Sequence, residues 1–467
     1  INSQAMKEGG YFGPYELGSQ LLSREPISMA TRSGDPRWSD FVEWMVQALI
    51  FAEEQEITQA RSFRMAPTSV FGGNETHPHP QLQSMFENAI AVRGNYGELY
   101  NFNLQSFLPR GGMNRLNAGD SPIMYSFPLG DTLVEAPELE VSSPTVRAIK
   151  ERGFLNCGMN QRRGFASFEP SARTWTGFDI DLCHAIAAAL FDGSDSRVVV
   201  TDLPSAQRFS VLQDGRVDIL ARLTTWTLDR DVREPTTGQG LSFSYPYFHD
   251  GLKFGGVGQY ADCANNLDVI SPECQDLKVC LLEDTTILSR VEELFHSGYI
   301  YPKSSFAEII SALNTGECNS VAGGFHDVDA TGVRLDIDLQ SIADLGYSGS
   351  ETYRVGEKVY SKDPLALTTR QDDPLWSDFV RWIFWALVHA EEQGITQATA
   401  HDMPQTKLFG PLRTNALYHA VNAVGNYGEI YERHFGNLVP RGTSSLHQLN
   451  SGFGPMLRAL PGIQLLS

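Results

Sequence analysis

Residues 153–191 read GFLNCGMNQRRGFASFEPSARTWTGFDIDLCHAIAAALF, and residues 198–221 continue VVVTDLPSAQRFSVLQDGRVDILA. Phe154 to Met159 is apolar and short enough for a buried strand, and Asp181 to Phe191 carries a helical run of Ala, Ile and Leu. Val198 to Thr201 reads as a strand, Ala206 to Asp214 as a helix and Val217 to Ala221 as a strand. This βαβαβ order predicts an α/β fold with a mostly parallel sheet, and places ligand at the carboxyl ends of the strands. A second cycle starts at Lys278 to Leu282, with a helix from Thr285. The chain then returns, which predicts two lobes joined by crossing strands.

Outward from this stretch, the chain repeats itself. Asp35-Pro36-Arg37-Trp38-Ser39-Asp40-Phe41-Val42 returns as Asp373-Pro374-Leu375-Trp376-Ser377-Asp378-Phe379-Val380, and Ala52-Glu53-Glu54-Gln55 returns as Ala390-Glu391-Glu392-Gln393. From Tyr11 to Met65, roughly 25 of 55 positions match the later copy. Gly94-Asn95-Tyr96-Gly97-Glu98 answers Gly425-Asn426-Tyr427-Gly428-Glu429, and Pro109-Arg110-Gly111 answers Pro440-Arg441-Gly442. The expected organisation is a partial repeat over 1–131, equivalent to the last third of a unit, a linker over 132–144, and a complete unit over 145–467. Asp35 and Asp373, each before a proline, are helix starts. Trp38, Trp44, Trp376 and Trp382 are expected in the core packing of those helices. A front copy without a head exposes an apolar face, so self-association through residues 1–131 is expected unless the complete unit covers it.

The 467 residues hold 36 Lys plus Arg against 56 Asp plus Glu, a formal charge of -20. That balance excludes nucleic acid and anionic membrane as partners, since both require a basic footprint. Phe379 to Ala390 is too short to span a bilayer and contains Arg381. No signal-like segment opens the chain at Ile1, so the expectation is either that a leader and more have been removed or that the chain is a processed product. Cys157, Cys183, Cys263, Cys274, Cys280 and Cys318 all lie in the middle third. Their even number fits disulfides and an oxidising compartment, with pairing left open. Asn74-Glu75-Thr76 is a glycosylation sequon. His77-Pro78-His79 is too sparse for a metal, and with no phosphate loop, GxSxG elbow or HExxH in the sequence, no cofactor, metal or catalytic residue is expected.

The run Gly153 to Gln161, then Trp175-Thr176-Gly177-Phe178-Asp179-Ile180-Asp181-Leu182-Cys183, then Thr224-Thr225-Trp226-Thr227-Leu228-Asp229-Arg230-Asp231, resembles the general L-amino-acid-binding proteins, periplasmic receptors of ABC importers. The resemblance covers about residues 145 to 463. It implies a type II clamshell that closes on a small ligand by hinge motion, with lobe 1 over 145–252 and 362–467 and lobe 2 over 253–361. It also implies pairings of Cys157 with Cys183 and Cys280 with Cys318, leaving Cys263 with Cys274.

In such proteins the ligand carboxylate meets an arginine, hydroxyls and backbone donors. Arg230 takes the arginine position, Thr224 and Thr225 the hydroxyls near it, and Thr285 and Thr286 the helix start of the second lobe. Asn160 and Trp175 are further candidates, with Phe165 and Tyr247 as cleft-lining aromatics. Three departures stand out. Leu223 replaces the family's Asn, Asp284 replaces a glycine in the anion seat, and Gly324 replaces the aspartate that pairs with the ligand ammonium. Asp327 or Asp329 would have to supply that counter-ion, with His326 beside them. The resulting reading is a non-catalytic, extracytoplasmic solute-binding protein with one divergent cleft for an amino acid or organic anion. The alternative is a binding-protein fold recruited as a self-assembling structural module.

Overall fold

A computed structural model of the chain describes residues 9–10, 13, 27–68, 71, 84–106, 108–110, 138–325, 346–361, 363–438 and 441. Asn74, His77, His79, His326, Asp327 and Asp329 lie outside them. The front segment contributes helices α1 (Pro36–Glu54), α2 (Met85–Arg93) and α3 (Tyr96–Asn103). Asp35 caps α1 by accepting from the Trp38 amide at 3.2 Å, with Pro36 in the first turn. Asn95 and Glu98 form a reciprocal capping box at α3. Arg110 pairs with Glu53 and lies over the Tyr96 and Tyr100 rings.

The chain continues with α4 (Pro144–Arg152), β1 (Leu155–Met159), α5 (Phe178–Leu190), β2 (Val198–Asp202), α6 (Arg208–Gln213) and β3 (Ile219–Thr225). A short helix α7 (Leu228–Arg233) follows, then β4 (Leu241–Phe243) and the long crossing strand β5 (Phe248–Val257). The second lobe adds α8 (Tyr260–Asn266), β6 (Val279–Leu282), α9 (Thr286–Leu294), β7 (Ile300–Lys303), α10 (Phe306–Thr315), β8 (Ser320–Phe325) and β9 (Tyr353–Val355). The chain returns through β10 (Asp363–Arg370) to α11 (Pro374–Glu392), α12 (Ala416–Val424) and α13 (Tyr427–Phe435).

The strands run β2-β1-β3-β10-β5-β8-β6-β7, with β9 beside β5 and β4 beside β10. β1 is parallel to both β2 and β3, the signature of the expected βαβαβ unit. β5 joins the lobes: Phe248, His249 and Asp250 pair with β10 in lobe 1, while Gly251 to Gly256 pair with β8 in lobe 2. Three disulfides tie Cys157 to Cys183, Cys263 to Cys274 and Cys280 to Cys318. The first lobe's core is dominated by α5 and α11, whose apolar residues are almost all buried.

Several local expectations change. Helix α5 starts at Phe178 because Gly177, with φ 141°, sets its entry, so three residues before Asp181 are already helical. A Cβ at Gly177 would stand 2.1 Å from the Phe165 carbonyl oxygen, which explains the glycine. Residues 138–144 of the expected linker fold against lobe 1. Leu139–Ser142 is one helical turn, Leu139 joins the core, and Ser143 donates to the Asp373 carboxylate at 2.7 Å.

The tryptophans divide. Trp376 is 1% exposed whereas its counterpart Trp38 is 52% exposed, and Trp44 is fully buried whereas Trp382 is half-buried against the lobe 1 core. The reason is the partner each helix meets. Helix α11 lies on the sheet through Trp376, Phe379, Val380 and Ile383. Among the described residues helix α1 has no sheet beneath it and packs Trp44, Ala48 and Ala52 with Leu228 and Val232 of α7. Part of the front segment's apolar surface is therefore covered by α7.

Candidate functional site

The crossing strands leave a cavity of about 90 Å³ between the lobes. Its wall includes Arg162, Arg208, Arg222 and Arg230 from lobe 1, Thr285, Thr286 and Gly324 from lobe 2, and Asp250 and Asp363 from the hinge. Small-molecule sites usually begin near ~300 Å³, so the cavity is small for such a site. Arg208 donates to the Asp284 carbonyl across the gap at 3.1 Å, Thr225 and Thr286 hydroxyls approach to 3.4 Å, and Arg162 lies 4.3 Å from the Phe306 ring.

The cavity's charge comes from secondary structure that buries arginine. β3 is an almost fully buried strand, yet Arg222 interrupts its apolar run. Its Nε donates to the Leu203 carbonyl at 2.8 Å and its Nη2 to Ser205 Oγ at 3.2 Å. The chain leaves β3 at Thr225 and turns into α7, where Arg230 points Nη1 back at the Thr225 carbonyl, 2.9 Å away. Arg208, first in α6, donates to the Ser205 carbonyl at 3.3 Å, while its buried Nε has no hydrogen-bond partner. The Phe209 ring lies under both Arg208 and Arg230, at 4.4 and 5.3 Å.

Arg208, Arg222 and Arg230 are each less than 8% exposed, and all their hydrogen-bond acceptors named above are neutral oxygens. Among the described residues none has a carboxylate within ion-pair distance. Burial pushes Arg222 down to about 9, with the Arg162 and Arg230 charges adding to the effect. Burial likewise depresses Arg208 and Arg230, and for Arg208 the other two guanidiniums contribute. Buried like charges held this way are relieved by an anion, for which the guanidinium fork is suited. On the acidic side, Asp363 accepts from Ser361 Oγ and, at 3.4 Å, from Thr286 Oγ1. Burial raises its carboxyl above the usual range, opposed by the Ser361 hydrogen bond and Arg230.

The cavity brings together Arg230, Thr225, Thr285, Thr286 and Asn160 among the expected residues, and excludes others. Trp175 sits on a hairpin, Ser167–Glu169 with Thr174–Thr176, where it packs against Phe168 at 5.2 Å. Thr224 is buried outside the cavity. Phe165 and Tyr247 belong to the lobe 1 aromatic core. The Thr285 hydroxyl is occupied, capping α9 through Leu288 N and donating to the Leu282 carbonyl.

Two of the departures acquire a backbone explanation. Leu223 and Asp284 have φ of 49° and 56°, the left-handed region. Asn and Gly suit that region, Asp tolerates it, and a leucine there costs on the order of 1–2 kcal/mol. Asp284 is exposed and does not itself line the cavity. Sequence reasoning missed Arg162, Arg208, Arg222, Asp250 and Asp363. A charged residue within the apolar run of β3 was the available signal for Arg222.

A type II clamshell with an arginine-lined cleft at its hinge defines a periplasmic-binding-protein-like solute receptor. The chain belongs to the bacterial extracellular solute-binding proteins, family 3, whose family model matches residues 155–254. It is 30% identical over 340 residues to the general L-amino acid-binding periplasmic protein AapJ of Rhizobium johnstonii, spanning 68% of this chain and 92% of that protein. It is also 30% identical over 318 residues to the glutamate/glutamine/aspartate/asparagine-binding protein BztA of Rhodobacter capsulatus, spanning 63% and 86%. Among solved structures it is similar to a periplasmic binding protein from Brucella ovis with glutathione bound, at 29% identity and a TM-score of 0.52, over 67% of this chain and 99% of that one.

Proposed function

We propose that this chain is an extracytoplasmic, non-catalytic receptor that closes on one small solute carrying a carboxylate, of amino-acid type or a related organic anion. The observation that carries this reading is the set of buried guanidiniums of Arg208, Arg222 and Arg230 around one cavity with only neutral acceptors. Arg230 anchors the carboxylate, and Thr225, Thr286 and Asn160 supply polar contacts beside it. Relatives named for general L-amino acids and for glutamate, glutamine, aspartate and asparagine support an amino-acid ligand, and a similar structure holds glutathione. Among the described residues no helix is long and apolar enough to cross a membrane.

The front segment fits a duplicated C-terminal third. Its support is physical as well as textual. Asn95 donates to the Ile57 carbonyl at 2.9 Å as Asn426 does to Ile395 at 2.7 Å, and the Glu53–Arg110 pair over Tyr96 and Tyr100 has its like in Glu391–Arg441 over Tyr427 and Tyr431. Isothermal titration of the full chain against a panel of L-amino acids, peptides and organic anions tests the receptor reading. At least one member should bind with a dissociation constant below a millimolar. A silent panel overturns the reading.

A further inference from the structure

The second lobe offers the cavity no carboxylate from β8, since Ala322, Gly323 and Gly324 are what line it there. Among the described residues two carboxylates nonetheless reach the cavity, both from the hinge. Asp363 opens β10 and is directly opposite Asp250 of β5 in the antiparallel register. Asp363 is only 6% exposed. Among the described residues no cation lies within ion-pair distance of Asp363. Its donors are two hydroxyls, Ser361 and Thr286. Arg230 acts on Asp363 through space without contacting it, and Arg290, the other guanidinium acting on it, is engaged with Glu293 and the Tyr360 carbonyl.

A buried guanidinium and a buried carboxylate that share one cavity without touching are completed by a ligand bearing both charges. An α-amino acid is such a ligand, with its carboxylate and ammonium on the same carbon. We propose that Asp363, assisted by Asp250, is the counter-ion for the ligand's α-ammonium, so that the hinge selects amino acids over simple carboxylates. This inference rests on the receptor reading above and adds the group that decides substrate class. Because both aspartates sit on the crossing strands, the ammonium binds at the point about which the lobes close. Asp250 also accepts from the Gly251 amide at 2.7 Å, which holds its carboxylate at the strand crossing.

The test pairs each amino acid with its deaminated counterpart, L-glutamate with glutarate and L-alanine with propionate, by titration calorimetry on the full chain. The wild type should prefer the amino acid of a bound pair by about 100-fold, the scale of a desolvated charge pair. Asp363→Asn should lose about that factor for the amino acid and keep or improve its affinity for the deaminated acid, and Asp250→Asn should lose about 10-fold. Retained affinity for the deaminated acid also shows that the variant is folded. A wild type that binds deaminated acids as well as amino acids overturns the inference and leaves the receptor reading standing. So does an Asp363→Asn protein that binds the amino acid within threefold of wild type. If the wild type binds neither class, the receptor reading falls and this inference with it.

Discussion

Trp44 of the front segment donates its indole N–H to the carboxylate of Asp231 at 2.7 Å, and both side chains are buried. Asp231 follows Arg230 on helix α7. The same short helix thus presents its arginine to the cavity and its aspartate, with Leu228 and Val232, to the front segment. Gln371 reinforces the junction, donating to Asp40 at 2.8 Å and to the Asp231 carbonyl at 3.3 Å.

Replacing Trp44 with Phe keeps most of the apolar contact and removes the donor. A buried acceptor left unmatched costs about 1–3 kcal/mol. Amide exchange within residues 228–233 should quicken, and the urea midpoint of the front segment should fall. Unchanged exchange there would show that the bond contributes nothing to the junction.

The junction should loosen with rising pH. Burial lifts Asp40 to about 7, opposed by the Gln371 hydrogen bond and Arg37 and aided by Glu43 and Asp35. Asp231 is also raised, by burial first and then by the Asp40 and Glu43 charges. A carboxyl with a raised pKa binds more protons when docked than when exposed, so docking is fully favoured below the ordinary carboxylate range. Its stability is lost progressively as pH climbs through about 7. Limited proteolysis of the α1 region at pH 5 and pH 8.5 should show faster cleavage at the higher pH, with Asp40→Asn flattening the difference.

Arg230→Lys tests the anchor. Lysine retains charge but loses the planar fork and the stack on Phe209. Ligand affinity should fall by about 2–5 kcal/mol, measured by calorimetry with whichever panel member binds. A loss under threefold would move the carboxylate anchor to Arg208 or Arg222.

The disulfides should differ in weight. Cys280–Cys318 closes a separation of 38 residues and Cys263–Cys274 one of 11. On chain entropy the longer loop contributes about 1 kcal/mol more. Paired Cys→Ala variants compared by thermal unfolding of lobe 2 should rank accordingly, and equal losses would mean that packing around the bridges outweighs loop closure.

Much of the architecture was legible from local pattern. The βαβαβ order and the helices started by Asp35 and Asp373 follow from residue type and spacing within short windows, where backbone preference and capping chemistry act, whereas Arg230 as anchor comes only from the family resemblance. Glu56 was legible only as a missing glycine, and it adopts φ 54° where Gly394 has 68°. What required the tertiary structure was every choice between faces and every non-local pairing. Nearly identical segments bury Trp376 but expose Trp38, because one helix meets a sheet and the other meets α7. Asp363 and Asp250 are more than a hundred positions apart, and only the antiparallel crossing of β10 and β5 sets them opposite one another. Sequence specifies which side chains carry charge, whereas strand register and the packing of the lobes decide which of those charges share one cavity.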